Sequence, residues 1–100
     1  MRVYGITGWK NSGKTGLMER LVEEYCYRGL TVSTIKHAHH SFDVDQPGRD
    51  SYRHRAAGAQ QVLLTSRNRY VLMHELRGAD EPSLDELLSK LAPVDLVLIE

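Results

Sequence analysis

Apolar positions along this chain alternate between two spacings, and the switches mark out the elements. Arg2-Val3-Tyr4-Gly5-Ile6-Thr7 is short and largely apolar, and it reads as a strand. Leu17, Leu21 and Tyr25 then recur every fourth residue, with Met18 and Val22 beside them, which predicts a helix with one apolar stripe. Glu19, Arg20, Glu23, Glu24, Tyr27 and Arg28 fill its other face, and Gly29 supplies the left-handed stop. Residues 30–35 read as a second strand. The stretch 36–48 has no helical period and closes on a Pro-Gly turn. A short helix over 49–57 follows, with Asp50 and Ser51 in its first turn and Gly58 at its end. Residues 60–65 and 70–76 are rich in strand formers and flank the polar 66–69, the pattern of an antiparallel hairpin. Ser83 and Glu86 form a capping box before Leu84, Leu87, Leu88 and Leu91, which recur at helical spacing. The last run, 94–99, is apolar apart from Asp95 and reads as a strand buried on both faces.

The predicted fold class is α/β: a P-loop NTPase-type three-layer fold, with helices packed on a mixed, mainly parallel sheet. Ligands of such folds gather at the carboxyl ends of the parallel strands. One nucleotide-binding domain is expected over 1–100. A central-type strand at the end of a chain lacks its usual crossover and neighbours. The expectation is therefore a domain cut short on its C-terminal side, or completed by another chain.

The first strand and first helix are joined by Gly8-Trp9-Lys10-Asn11-Ser12-Gly13-Lys14-Thr15, which fills every fixed position of G-x-x-x-x-G-K-[ST]. Backbone N–H groups of such a loop surround the phosphates of a nucleoside triphosphate, so Gly8, Lys10, Asn11, Ser12 and Gly13 are candidate phosphate contacts. Lys14 brings a positive charge to the β and γ phosphates, and Thr15 offers its hydroxyl to a magnesium ion. Glu100, an acid closing an apolar strand, matches a Walker B position, where it would bind the magnesium ion or position a water; the alternative is the first residue of a solvated loop. Asp95 opens the same strand and is expected at the opposite edge as a solvated or capping acid.

His37, His39 and His40, with Asp43 and Asp45 nearby, allow three readings: a zinc or nickel site, a set of donors to an anion, or a solvated loop. Arg49, beside the Pro-Gly turn, is the better placed arginine to touch a ligand, whereas Arg55 is expected on a solvated face. His54 and His74 read as structural or surface residues.

Thirteen basic residues balance thirteen acidic ones, so no overall field draws the chain to nucleic acid or to an anionic membrane. No apolar run approaches the roughly 20 residues needed to span a bilayer. The start enters a strand with no signal-peptide pattern, and the single cysteine, Cys26, fits a reducing, cytoplasmic setting and a structural role in the first helix.

Taken together, the glycine loop 8–15, Ile35-Lys36-His37-Ala38-His39-His40, the run from Asp43 through Pro47-Gly48-Arg49-Asp50-Ser51-Tyr52, Arg55-Ala56-Ala57-Gly58-Ala59 and Asp95-Leu96-Val97-Leu98-Ile99-Glu100 resemble the MobB family, the molybdopterin-guanine dinucleotide biosynthesis protein B group. Arg49 stands where that family often has lysine. The resemblance implies a GTP-binding, magnesium-dependent accessory protein, dimeric and at most a weak GTPase. It would assist a MobA-type guanylyltransferase that joins GMP to molybdopterin. From their place after the second strand, beside the phosphates, His37, His39, His40, Asp45 and Arg49 are expected to meet a second, anionic ligand, such as the molybdopterin phosphate. No guanine-reading Asn-Lys-x-Asp run occurs in these residues, so GTP rests on the resemblance alone. Two other functions fit the glycine loop. One is a P-loop small-molecule kinase or ligase, whose acceptor would lie on 39–49; the other is a metallochaperone GTPase, with the histidines as metal ligands.

Overall fold

Parallel pairing of three strands organises the larger part of the chain. The computed structural model describes residues 1–7, 13–38 and 49–100, with 14 and 15 by backbone alone. Its elements are β1 (Arg2–Gly5), α1 (Lys14–Tyr27), β2 (Val32–Ile35), α2 (Asp50–Ala57), β3 (Gln61–Thr65), β4 (Tyr70–His74), α3 (Leu84–Ser89) and β5 (Leu96–Ile99). They fall into two compact units, Met1–His40 with Leu84–Glu100, and Ser41–Ser83. The expected element types are all present, with strands a residue or two shorter than the apolar runs that announced them.

In the first unit β5 lies between β1 and β2 and pairs in parallel with both. Arg2, Leu96 and Val32 are level at one end, and Gly5, Ile99 and Ile35 at the other. A strand with a neighbour on each side has no free edge and can be apolar on both faces. Leu96, Val97 and Leu98 are accordingly 5%, 0% and 2% exposed.

Alternation along the strands sets which residues meet α1. Leu96, Leu98, Ile6 and Val32 share one face, and they pack against Met18, Leu21, Val22 and Tyr25 of the helix. The buried stripe thus follows i, i+3, i+4, i+7 from Met18. Leu17, expected at its centre, is turned away and is 40% exposed. Cys26 is exposed too, so it has no packing role. Gly29, at φ +86°, ends the helix: the Gly29 and Leu30 N–H groups donate to the Cys26 and Tyr25 carbonyls at 3.0 and 3.1 Å, a Schellman pattern. Three residues after Gly29 the chain enters β2.

In the second unit α2 packs on the β3–β4 hairpin, an antiparallel ladder of its own. Arg55 donates to Glu75 at 2.8 Å across this contact. Arg77 takes a left-handed φ of +49°, a conformation costing a non-glycine residue roughly 1–2 kcal/mol. Its guanidinium donates to the Arg55 and Ala59 carbonyls at 3.1 Å, which ties the turn to the end of α2.

The amino ends of the parallel strands are clamped by Asp95, in the capping role its position suggested. Its carboxylate accepts hydrogen bonds from the Thr31 N–H at 2.8 Å and the Thr31 hydroxyl at 3.1 Å, while the Asp95 N–H donates back to that hydroxyl at 2.9 Å. The backbone bond from Thr31, then that from its hydroxyl, holds the Asp95 carboxyl below its ordinary value of 3.8. A lowered folded-state value means that the contribution is complete above the unfolded value and disappears as pH falls through the folded one. Asp95→Asn should therefore melt several degrees below the parent at pH 7. The gap should close as pH is taken below about 4. A gap independent of pH in parallel thermal melts would rule out the carboxylate as its source.

Candidate functional site at the carboxyl edge

Three chain segments leave the sheet side by side at its carboxyl edge. β1 runs out through Ile6, whose N–H donates to the Ile99 carbonyl at 2.8 Å. Pairing between β5 and β2 continues one residue further, with the Glu100 N–H donating to Ile35 at 2.8 Å and the His37 N–H to Glu100 at 3.3 Å. Glu100 is therefore level with Lys36. By alternation both belong to the face carrying Leu96, Leu98 and Val32, the face that α1 covers.

The helix begins at this same edge. Its end is joined to the amino end of β2 by four residues, and 14 helical residues run back about 21 Å along the sheet. Gly13 caps the start at φ +86°, ψ +16°, and its carbonyl accepts the Leu17 N–H at 3.0 Å. No side chain caps this terminus. A helix start directs its first N–H groups and a partial positive charge outward, an arrangement suited to anions. The chemistry available is electrostatic: backbone donors and a lysine position at the helix start, with a carboxylate across from them.

Glu100 is largely withdrawn from water, its side chain 13% exposed. Lys36 Nζ lies 4.0 Å from its Oε1, at the end of a side chain that is 67% exposed. A pair this open to water contributes about 0–1 kcal/mol. The expectation that Glu100 closes the central strand at the carboxyl edge is met. Asp95 lies at the other end of the same strand.

Of the residues expected in the glycine loop, Gly13 opens α1, and Lys14 and Thr15 form its first two positions. Gly8, Lys10, Asn11 and Ser12 lie outside the described residues, as do His39, His40, Asp43 and Asp45. His37 is exposed and joins the edge through its backbone N–H. Arg49 caps α2 with extended backbone, and its side chain is exposed, in the second unit.

The solvated reading of Arg55 is overturned. Its side chain is 14% exposed, paired with Glu75 and set over the Tyr52 ring at 5.3 Å. With Tyr52, Ala56, Glu75 and Arg77 it lines an open cavity of about 240 Å³. Helical spacing alone did not reveal this, because the partner lies just past β4, 20 residues on. Lys36 was also missed as a site residue. Only the pairing of β2 with β5, combined with period-two alternation, makes Lys36 the side chain next to Glu100.

A family model described as MobB, molybdopterin guanine dinucleotide synthesis protein B, matches residues 3–100. The molybdopterin-guanine dinucleotide biosynthesis adapter protein of Escherichia coli K12 is 43% identical over 100 residues, covering 98% of this chain and 57% of that protein. The adapter protein of Haemophilus influenzae is 44% identical, with coverages of 98% and 55%. A crystal structure of Bacillus subtilis MobB aligns with a TM-score of 0.73 at 28% identity, over all of this chain and 61% of that one. The chain thus spans somewhat more than half the length of these two curated relatives.

Gly13 makes the helix start testable. Among the described residues, beyond its chain neighbours and its own helix backbone, no heavy atom lies within 4 Å of where a Cβ would stand, and the left-handed backbone resists a side chain. Gly13→Ala should cost roughly 1–2 kcal/mol in denaturant unfolding. An unchanged midpoint would mean that the left-handed start is not held in solution.

Proposed function

The chain belongs to the MobB family, and from that premise we propose that it is a GTP-binding adapter in the formation of molybdopterin guanine dinucleotide. It works beside a MobA-type guanylyltransferase. The observation that carries the reading is the convergence at one sheet edge of the segment leaving β1, the glycine-capped start of α1, and Glu100. This reading takes them as the strand, helix start and acid of a P-loop nucleotide site, joined by the glycine loop of the sequence.

Within this reading Gly8, Lys10, Asn11, Ser12 and Gly13 supply backbone donors to the phosphates, and Lys14 supplies charge to the β and γ phosphates. Thr15 and Glu100 hold Mg2+ directly or through water, and the ion would neutralise charge between the phosphates. The donor set fits that ion, since Mg2+ prefers oxygen ligands and keeps much of its water. Turnover is weak, because an adapter holds nucleotide for its partner's reaction. The functional protein is a cytoplasmic homodimer. His37, His39, His40, Asp45 and Arg49 form the second binding segment, for an anionic group such as the phosphate of molybdopterin.

Two variants test these assignments separately. Lys14→Ala should bind GTP about a hundredfold more weakly while keeping the parent circular dichroism. Parental affinity in a folded variant would refute the phosphate assignment. Replacing His39, His40 and Asp45 together by alanine should leave GTP affinity within about threefold, yet abolish stimulation of molybdopterin guanylylation by the partner enzyme. Full stimulation would remove the second-ligand role, and a large loss of GTP affinity would move the segment into the nucleotide site.

A further inference from the structure

We infer that the second unit carries a site for a singly charged oxyanion, the carboxylate group of a small molecule, in the open cavity between α2 and the segment that follows β4. The inference concerns residues of that unit alone and stands without the nucleotide-binding reading.

Local structure makes the cavity. Tyr52, Arg55 and Ala56 fall at i, i+3 and i+4, on one face of α2. Hairpin pairing runs one residue beyond β4, with the Glu75 N–H donating to the Gln60 carbonyl at 3.1 Å, so Glu75 shares the face of Val71 and Met73. Arg77 follows in its left-handed conformation, inside a turn closed by the Ala79 N–H on the Leu76 carbonyl at 2.9 Å. These residues line about 240 Å³, below the roughly 300–1,000 Å³ of sites for drug-sized ligands. The space suits one small group.

Charge decides what that group is. The Arg55 guanidinium is committed to Glu75 at 2.8 Å and to the Tyr52 ring. Arg77 is anchored but uncompensated. Its Nη2 donates to the Arg55 and Ala59 carbonyls, both at 3.1 Å, while its Nε and Nη1 meet no acceptor, and its charge no carboxylate, among the described residues. Carbonyls at the end of a helix hold a cation well, and a side chain already fixed by them loses little rotamer freedom on binding. The Tyr52 hydroxyl, also without a partner among the described residues, adds a neutral donor. Two guanidinium groups against one carboxylate leave a single positive charge in excess, which one negative charge balances. A doubly charged phosphate or sulfate would be drawn by the same arginines but repelled by Glu75 in the lining. A carboxylate accepts charge-assisted hydrogen bonds from Arg77 without displacing either bond that anchors it.

Nuclear magnetic resonance titrations of the intact, isotope-labelled protein with acetate and with sulfate, at ionic strength held constant with chloride, read the site through the arginine Nε–H signals. The Arg77 and Arg55 signals should shift and saturate with acetate at millimolar concentration, and sulfate should bind about fivefold more weakly. Shifts that grow without saturating, and alike at the exposed Arg20 and Arg53, would mean bulk screening and overturn the site. Arg77→Met should abolish saturation at the Arg55 signal. Tyr52→Phe, which keeps the ring beside Arg55 and leaves the Arg77 anchor in place, should weaken acetate about threefold to tenfold, and it decides the matter where Arg77→Met fails to fold. Parental acetate affinity in a folded Arg77→Met, or in Tyr52→Phe, would overturn the assignment to this cavity. Sulfate binding as tightly as acetate would overturn the choice of a singly charged ligand.

Discussion

The architecture of the first unit depends on β5 pairing in parallel with two strands at once. That pairing makes β5 the one element with no free edge, and it explains why Leu96, Val97 and Leu98 are the most buried residues around it. It also sets the level of everything at the ends of the sheet. Because β1, β5 and β2 share one register, residues far apart in sequence leave the sheet together. Glu100 reaches the same edge as Ile6 and Lys36 without any contact among their side chains being needed to bring them there. The α1 helix then follows by length: it must return to the amino end of β2, so its glycine-capped start must lie at the carboxyl edge.

Family membership and this geometry support each other at different levels. The relatives' likeness covers nearly all of this chain but little more than half of theirs. It identifies the lineage without saying what each residue does. Geometry works at the residue level, where it distinguishes an acid at the carboxyl edge from an acid at the amino edge of the same strand. Glu100 and Asp95 are five positions apart on β5, and only the former lies where a ligand of a parallel sheet gathers.

Much of this was legible in the sequence, and the reasons differ by element. The spacing of Leu21 and Tyr25, the stop at Gly29 and the unbroken apolar run into Ile99 are local signals, and each produced the element it announced. The centre of the α1 stripe was not local. Leu17 and Met18 are equally apolar, and only the position of the sheet decides which one faces it. Arg55 was misread for a related reason. Its charge and helical position suggest solvent, but Glu75 on the neighbouring segment and the Tyr52 ring withdraw it from water. The Lys36–Glu100 neighbourhood needed strand order as well as alternation. Knowing that both residues follow apolar strands says nothing of their adjacency until β2 is known to pair with β5.

The two ends of the sheet are held in opposite ways, and the contrast bears on function. At the amino end Asp95 and Thr31 exchange three hydrogen bonds of 2.8 to 3.1 Å, so one carboxylate oxygen is held by the residue that leads into β2. Such a group has little to gain from a ligand. At the carboxyl end a better buried carboxylate faces an exposed ammonium at 4.0 Å, a contact that costs little to break. A sheet edge closed by short bonds to backbone and hydroxyl resists fraying. The central strand is thus flanked by an acid bonded to Thr31 at its amino end and by a largely withdrawn acid at the edge where ligands of parallel sheets gather.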